Sequence, residues 1–130
     1  MNQLTKRERD CLFGVAEITK AEGIARLYEI SKKIEVSSPT AYEIIRRLEA
    51  KGLIKNKHGS ISITRKGSRS YHFILSTHRS LESIFSNAGI DADKACEEIK
   101  RFDYKIDGST GRMLINTTNS TNCPHGKPIR

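Results

Sequence analysis

Residues 37–52 read SSPTAYEIIRRLEAKG, and this stretch decides the fold. Ser38 suits a helix N-cap, where a side-chain oxygen accepts an orphan backbone N–H. Pro39 fits the first helical position, where its missing N–H costs nothing, and Gly52 stands just past the end, where a left-handed residue is easiest. Between them Ala41, Ile44, Ile45 and Leu48 gather on one side of a helical wheel. Pro39, Tyr42, Glu43, Arg46 and Arg47 project to the other. A helix in a DNA major groove needs this division, an apolar back held by its own domain and a front of donors and acceptors. Ser37, Ser38 and Thr40 mark an N-terminus whose backbone N–H groups can meet a phosphate.

The flanking sequence supplies the rest of a DNA-binding module. Leu12, Val15, Ala16 and Thr19 recur at helical spacing between Lys6 and Glu22, and a short helix follows from Leu27 to Ile34. Downstream, LIKNKHGSISIT (residues 53–64) alternates Ile61 and Ile63 with Ser60, Ser62 and Thr64, and His58-Gly59 offers a turn. Helix, helix–turn–helix, then hairpin is the order of a winged helix-turn-helix, with Lys55, Lys57 and His58 on or near the tip of the wing.

A second region is helical. Tyr71, Ile74, His78, Leu81, Phe85 and Ala88 form a seam with steps of three and four, widened by Leu75 and Ile84, on a helix from about Lys66 to Ala88. Gly89 ends it. Asp91 caps a further helix with Ala92, Ala95, Cys96, Ile99 and Phe102 as its stripe. STGRMLINTTNST (109–121) carries a weak helical signal, because Thr and Asn are poor helix formers, and NCPHGKPIR (122–130) reads as turn and loop. The fold class expected is mostly α with a small β-hairpin wing: a winged helix-turn-helix over residues 1–66, then a helical domain over 67–130, the part to which the family resemblance given below assigns dimerisation and metal binding.

Charge supports this order. The 130 residues carry 23 Lys+Arg against 15 Asp+Glu, a net +8. Residues 1–70 hold 15 of the basic and 8 of the acidic residues, a balance of +7, which leaves +1 for the remainder. Such asymmetry favours a polyanion-binding module followed by one with another task. No run nears the roughly 18 apolar residues of a membrane span. The start, MNQLTKRERD, lacks a signal peptide's apolar core. A soluble, cytoplasmic protein without a membrane partner is expected. Cys11, Cys96 and Cys123 are odd in number and lack the C-x-x-C spacing of a zinc finger. Phosphate-cradling loops, G-x-S-x-G and H-E-x-x-H are all absent, so no enzyme is expected.

Residues 36–54 (VSSPTAYEIIRRLEAKGLI), ITRKG (63–67), HRSLESIF (78–85), GIDADKACEEI (89–99) and CPHGKPI (123–129) together resemble the diphtheria toxin repressor family of iron- and manganese-dependent transcriptional repressors. The likeness runs in order over almost the whole chain and is most specific in CPHGKPI. It implies a homodimer whose winged helix reads an inverted-repeat operator on double-stranded DNA. It also implies a divalent transition metal (Fe2+, Mn2+ or Zn2+) in the second region, and a short form without the SH3-like domain of longer members.

Carried over by position, the family's ligands match in part. His78 and Glu82 stand for the H-x-x-x-E of the ancillary site, and Cys96 takes the place where histidine is common. In the primary site Asp103 and Asp10 can still coordinate, whereas Lys100 and Tyr104 replace ligands. Charged lysine has no lone pair to give. One consequence is a Lys100 ammonium held among Asp10 and Asp103 in place of an ion, with DNA binding freed from metal. The residues expected on DNA are Ser37, Ser38, Pro39, Thr40, Tyr42, Glu43, Arg46, Arg47 and Lys57. Plainer readings stay open at each point: Arg46 and Arg47 as ordinary surface residues with Glu43 pairing Arg47, His78 as a core histidine bonded to Glu82, Cys96 as a packed thiol, and Cys123 and His125 as parts of a loop motif. A metal-independent DNA-binding protein and a protein-docking winged helix are the alternatives.

Overall fold

The computed structural model describes residues 3–118 and 123–129. Thr5 opens helix α1 (Lys6–Glu22) with a reciprocal cap: Glu8 N–H donates to the Thr5 hydroxyl, and Thr5 N–H donates to Glu8 Oε1. Helix α2 (Leu27–Lys33) and helix α3 (Ser38–Ala50) follow, then strands β1 (Ile54–Lys57) and β2 (Ser60–Ile63). The strands pair antiparallel, Ile54 opposite Ile63 and Lys57 opposite Ser60. His58 and Gly59 both take positive φ (51° and 88°), the conformation a two-residue hairpin turn demands and one that glycine adopts without strain. Ala25 adds a third short rung by exchanging both backbone hydrogen bonds with Ile61. This order is a winged helix-turn-helix.

Its core is the set of apolar faces that the periodicity marks. Leu12 and Val15 of α1, Ile30 of α2, Ile44, Ile45 and Leu48 of α3, and Leu53, Ile54 and Ile61 of the wing are almost completely buried together. Phe13 and Tyr71 meet edge to face at 4.8 Å. The cap of α3 differs from the expectation by one residue. Ser37, not Ser38, holds the extended cap conformation and accepts from Thr40 N–H, because Ser38 is already helical. Gly52 follows the helix with φ of 75°.

Helix α4 (Arg65–Asn87) is capped by Thr64, whose hydroxyl accepts from Gly67 N–H and donates to the Gly52 carbonyl. The chain divides into two compact units, one ending at Tyr71 and one beginning at His72, so α4 contributes to both. In the second unit lie helix α5 (Ala92–Ile99), a 3-10 turn (Asp103–Lys105) and helix α6 (Gly108–Thr117). Asp91 caps α5 as expected, but the helix stops at Ile99 and Phe102 lies beyond it. The weak signal after Gly108 is a real helix, capped by Asp107. The part of STGRMLINTTNST after residue 118 lies outside the described residues.

Leu81, Ala95 and Ile99 make the second unit's apolar cluster, with Phe85, Ile90, Phe102 and Leu114 against it. The seam of α4 is more polar than its periodicity suggests. Ile84 is 43% exposed and Ala88 is exposed, while Thr77, Ser80, Glu82 and Ser83 are buried beside His78. Among the described residues no helix is long and apolar enough to cross a membrane.

Candidate metal centre and nucleic-acid interface

His78 and Glu82 stand one turn apart on α4, and both are buried. His78 Nε2 lies 3.4 Å from Glu82 Oε1 and 3.4 Å from the Cys96 thiol, which α5 delivers. The other ring nitrogen, Nδ1, lies 2.9 Å from Oδ2 of Asp103, whose residue is only 1% exposed. The sequence-expected trio of His78, Glu82 and Cys96 is therefore brought together, every ligand atom within 4.8 Å of the others.

Asp103 sits behind the histidine, where it fixes the ring. Carboxylates in that position orient a histidine ligand and raise its basicity. Lys100 is 41% exposed, and its ammonium pairs with the exposed Glu97 at 3.4 Å. Asp10 is held by Lys6 at 2.7 Å and by Arg9 at 3.3 Å.

CPHGKPI folds back onto α4. Its turn closes through Cys123 N–H to the Lys127 carbonyl and Gly126 N–H to the Cys123 carbonyl. Arg79 donates to the Pro128 carbonyl at 2.7 Å, and Ile129 is buried. This pinning sets His125 Nδ1 at 2.9 Å from Glu82 Oε2, and its Nε2 at 3.2 Å from Asp93. Glu82, Cys123 and His125 form a second group with ligand atoms within 4.8 Å. The signal was present as a C-x-H pair, but nothing in one sequence says that it folds back onto Glu82.

Glu82 decides whether these residues fit a metal. Its Oε2 is buried and accepts no hydrogen bond among the described residues, its polar neighbour being His125 Nδ1 at 2.9 Å. A buried carboxylate oxygen that accepts no hydrogen bond is costly, and a cation beside it would remove that cost. His78 Nε2 and His125 Nδ1 both face Glu82, and a ring whose proton sits on the nitrogen toward Asp103 or Asp93 offers a lone pair on that side. Two ring nitrogens, two thiols and a carboxylate are a donor set for zinc or ferrous ion more than for manganese.

In the other unit α3 has the two faces expected. Ala41, Ile44, Ile45 and Leu48 are buried, while Pro39, Tyr42, Glu43, Arg46 and Arg47 are exposed. Ser37 is exposed, Ser38 and Thr40 half-buried, and Lys57 and His58 exposed at the wing. Two details change the expected roles. Thr40 N–H is already taken by the Ser37 hydroxyl and Pro39 has none, so fewer helix N–H groups face outward than the sequence suggests. Arg47 bonds the buried Glu8 at 3.3 Å, along with Lys51 at 2.6 Å, whereas Glu43 turns to Arg46 at 3.9 Å. Arg47 therefore serves the domain as well as its surface.

Burial by itself would raise the Glu8 carboxyl. Hydrogen bonds from Lys51 and Thr5, with the charges of Lys51 and Arg47, outweigh it and hold the group below the ordinary carboxylate range.

Comparison with known proteins agrees with both halves. Residues 64–130 match the family described as the iron-dependent repressor metal binding and dimerisation domain. The chain belongs to this family. Residues 4–75 match the sugar-specific transcriptional regulator TrmB. The diphtheria toxin repressor of Corynebacterium efficiens is 28% identical over 112 residues, covering 83% of this chain and 49% of the relative. The iron-dependent repressor IdeR of Mycobacterium leprae is likewise 28% identical over 114 residues. The chain spans about half the length of these curated relatives. Among solved structures, a hypothetical protein of Sulfolobus solfataricus is 33% identical with a TM-score of 0.83, covering 98% of this chain and 99% of that one. T. acidophilum IdeR is 25% identical with a TM-score of 0.74, covering 99% and 61%.

Proposed function

We propose that this family member is a cytoplasmic, homodimeric, sequence-specific DNA-binding transcriptional repressor whose affinity for an inverted-repeat operator responds to a divalent metal ion. The observation that carries the reading is Glu82, a buried carboxylate with an oxygen that accepts no hydrogen bond, set amid two histidines and two thiols. His78, Glu82, Cys96, Cys123 and His125 would hold the metal, while Asp103 and Asp93 orient the two rings. The ion, when bound, supplies the positive charge that this carboxylate and the deprotonated thiols require.

On the DNA side, Tyr42, Glu43 and Arg46 present the front of α3 to base edges. Ser37, Ser38, Pro39, Thr40 and Arg47 lie along the phosphates at its start and flank, and Lys57 meets the backbone from the wing. For a simple dimer the half-sites would lie roughly one helical turn apart, about 34 Å. Exposed Ile84 and Met113 give the second unit apolar surface for a partner copy.

The test is selection from randomised duplexes, followed by affinity at fixed salt with chelator and then with Mn2+, Fe2+ or Zn2+. A gain of tenfold or more with one ion, about 1.4 kcal/mol of coupling, is expected. Tight binding that ignores metal would leave a DNA-binding protein without a sensor. Absence of duplex binding would overturn the reading in favour of a protein-docking winged helix.

A further inference from the structure

Glu8 is a buried acid that holds two cations from the C-terminal end of α3. It lies on α1 and is 2% exposed. Oε1 accepts from the Lys51 ammonium at 2.6 Å and from Thr5 N–H at 3.1 Å, while Oε2 stands 3.3 Å from Arg47 Nε. Lys51 is anchored a second time, donating to the Gln3 carbonyl at 2.8 Å. All of these residues belong to the compact unit that ends at Tyr71. Lys51 and Thr5 already give Oε1 two donors, so the second cation is the telling one. Arg47 projects with Tyr42, Glu43 and Arg46 on the front of α3, and its side chain is 51% exposed. Holding it through Nε leaves four of its five N–H groups for a phosphate.

We propose that Glu8 sets the selectivity of the winged helix for its operator over unrelated DNA, by tethering Arg47 and Lys51. The proposal rests on the DNA-binding reading above and deepens it, and it is independent of any metal. Residues 1–70 carry a net +7, and such charge draws any duplex through its phosphates. A free arginine or lysine on its flexible stem meets phosphates in many registers. A tethered one is confined. Lys51 is occupied by Glu8 and Gln3, and Arg47 meets only a phosphate that the docked helix brings to its terminal nitrogens. The carboxylate also cancels part of the positive charge that a misplaced DNA backbone would feel. Both effects weaken the binding of unrelated DNA more than that of the operator, and selectivity is this difference.

Fluorescence anisotropy of the full chain on the selected operator and on scrambled duplex, over a range of salt, tests this. Glu8→Gln should tighten scrambled binding about three- to tenfold and steepen its salt slope by about one, the effect of one added phosphate contact. Operator affinity should gain less, so the ratio of the two falls. Glu8→Gln combined with Lys51→Met keeps the net charge of the wild type and leaves neither of the two charges buried alone. This pair should show the same gain, because Arg47 is still released, and it serves where the single variant folds poorly. Adding Arg47→Ala to the pair should abolish the gain. A role in stability alone would lower the melting temperature without moving the scrambled affinity or its slope, and that result overturns the proposal. So does wild-type binding by the charge-matched pair, or a gain that survives Arg47→Ala. A wild-type chain that binds no duplex overturns the tether and the DNA-binding reading together.

Discussion

His78 Nδ1 lies 2.9 Å from Asp103 Oδ2, across 25 residues of chain. The carboxylate comes from the 3-10 turn Asp103–Lys105 and the ring from α4, so the pair ties two elements of the second unit and aims Nε2 at Cys96 and Glu82. Asp103 therefore acts through His78. Asp103→Asn keeps an oxygen in place but removes the charge that makes the imidazole a strong donor. Ion affinity should fall about 10- to 100-fold, the usual effect of losing such a partner. Competition against a chromophoric chelator measures it. An unchanged affinity with a lowered melting temperature would show that Asp103 serves packing alone.

Glu8 makes the winged helix sensitive to acid. Its folded-state pKa lies below the ordinary 4.5, because the Lys51 and Arg47 contacts overcome the effect of burial. The folded state thus binds fewer protons than the unfolded chain in this range. The stability Glu8 contributes is complete above 4.5 and drains away as pH falls through the folded value. Glu8→Gln should cost about 1–3 kcal/mol at neutral pH, the scale of hydrogen bonds to charged groups. It should also flatten the dependence of stability on pH below 4.5. Urea denaturation at pH 7 and at stepwise lower pH separates the two effects; an equally steep acid loss in the variant would assign it to other carboxylates.

Gly111 marks where α6 approaches α4. A Cβ there would collide with Phe73 Cζ and stand 2.9 Å from Thr77 Oγ1, closer than real side chains pack. Thr77 is fully buried, so its side chain has no room to retreat. Gly111→Ala should destabilise the protein by about 1–3 kcal/mol through overpacking. It should leave the exposed front of α3 untouched. Thermal unfolding reads the cost.

The winged helix was legible because its signals are local. Pro39, Gly52, the 3.6-residue stripe of α3 and the His58-Gly59 turn each act within a few residues, and the error at Ser37 against Ser38 is one position in a run of two serines. The seam of α4 was harder, since buried Thr77, Ser80 and Glu82 look polar in sequence and Ile84 looks like core. The candidate site was legible where its spacing is helical, as for His78 and Glu82. It was opaque where residues far apart converge, because no periodicity links Glu82 to His125 or His78 to Asp103. The family resemblance supplied Asp103 as a ligand, but only the fold shows its contact with His78.

The two arginines of α3 should separate cleanly on DNA. Arg46 is 62% exposed and its one described ionic partner is Glu43 at 3.9 Å, a surface pair of little energetic weight. Arg47 instead reaches the buried Glu8. Arg46→Ala should leave stability within about 0.5 kcal/mol of the wild type, as surface changes do. If its guanidinium reads a base, specific affinity should fall by about 1–3 kcal/mol with relaxed preference at one operator position. Arg47→Ala should lower stability as well as affinity, since Glu8 then loses one of the two cations it has among the described residues. Lys57→Ala on the wing should weaken binding evenly across sequences and reduce the salt slope by about one. Fluorescence anisotropy on the selected operator and on scrambled duplex, over a range of salt, distinguishes the three. A Lys57 variant that loses specific but not scrambled binding would move the wing from the backbone to the base edges.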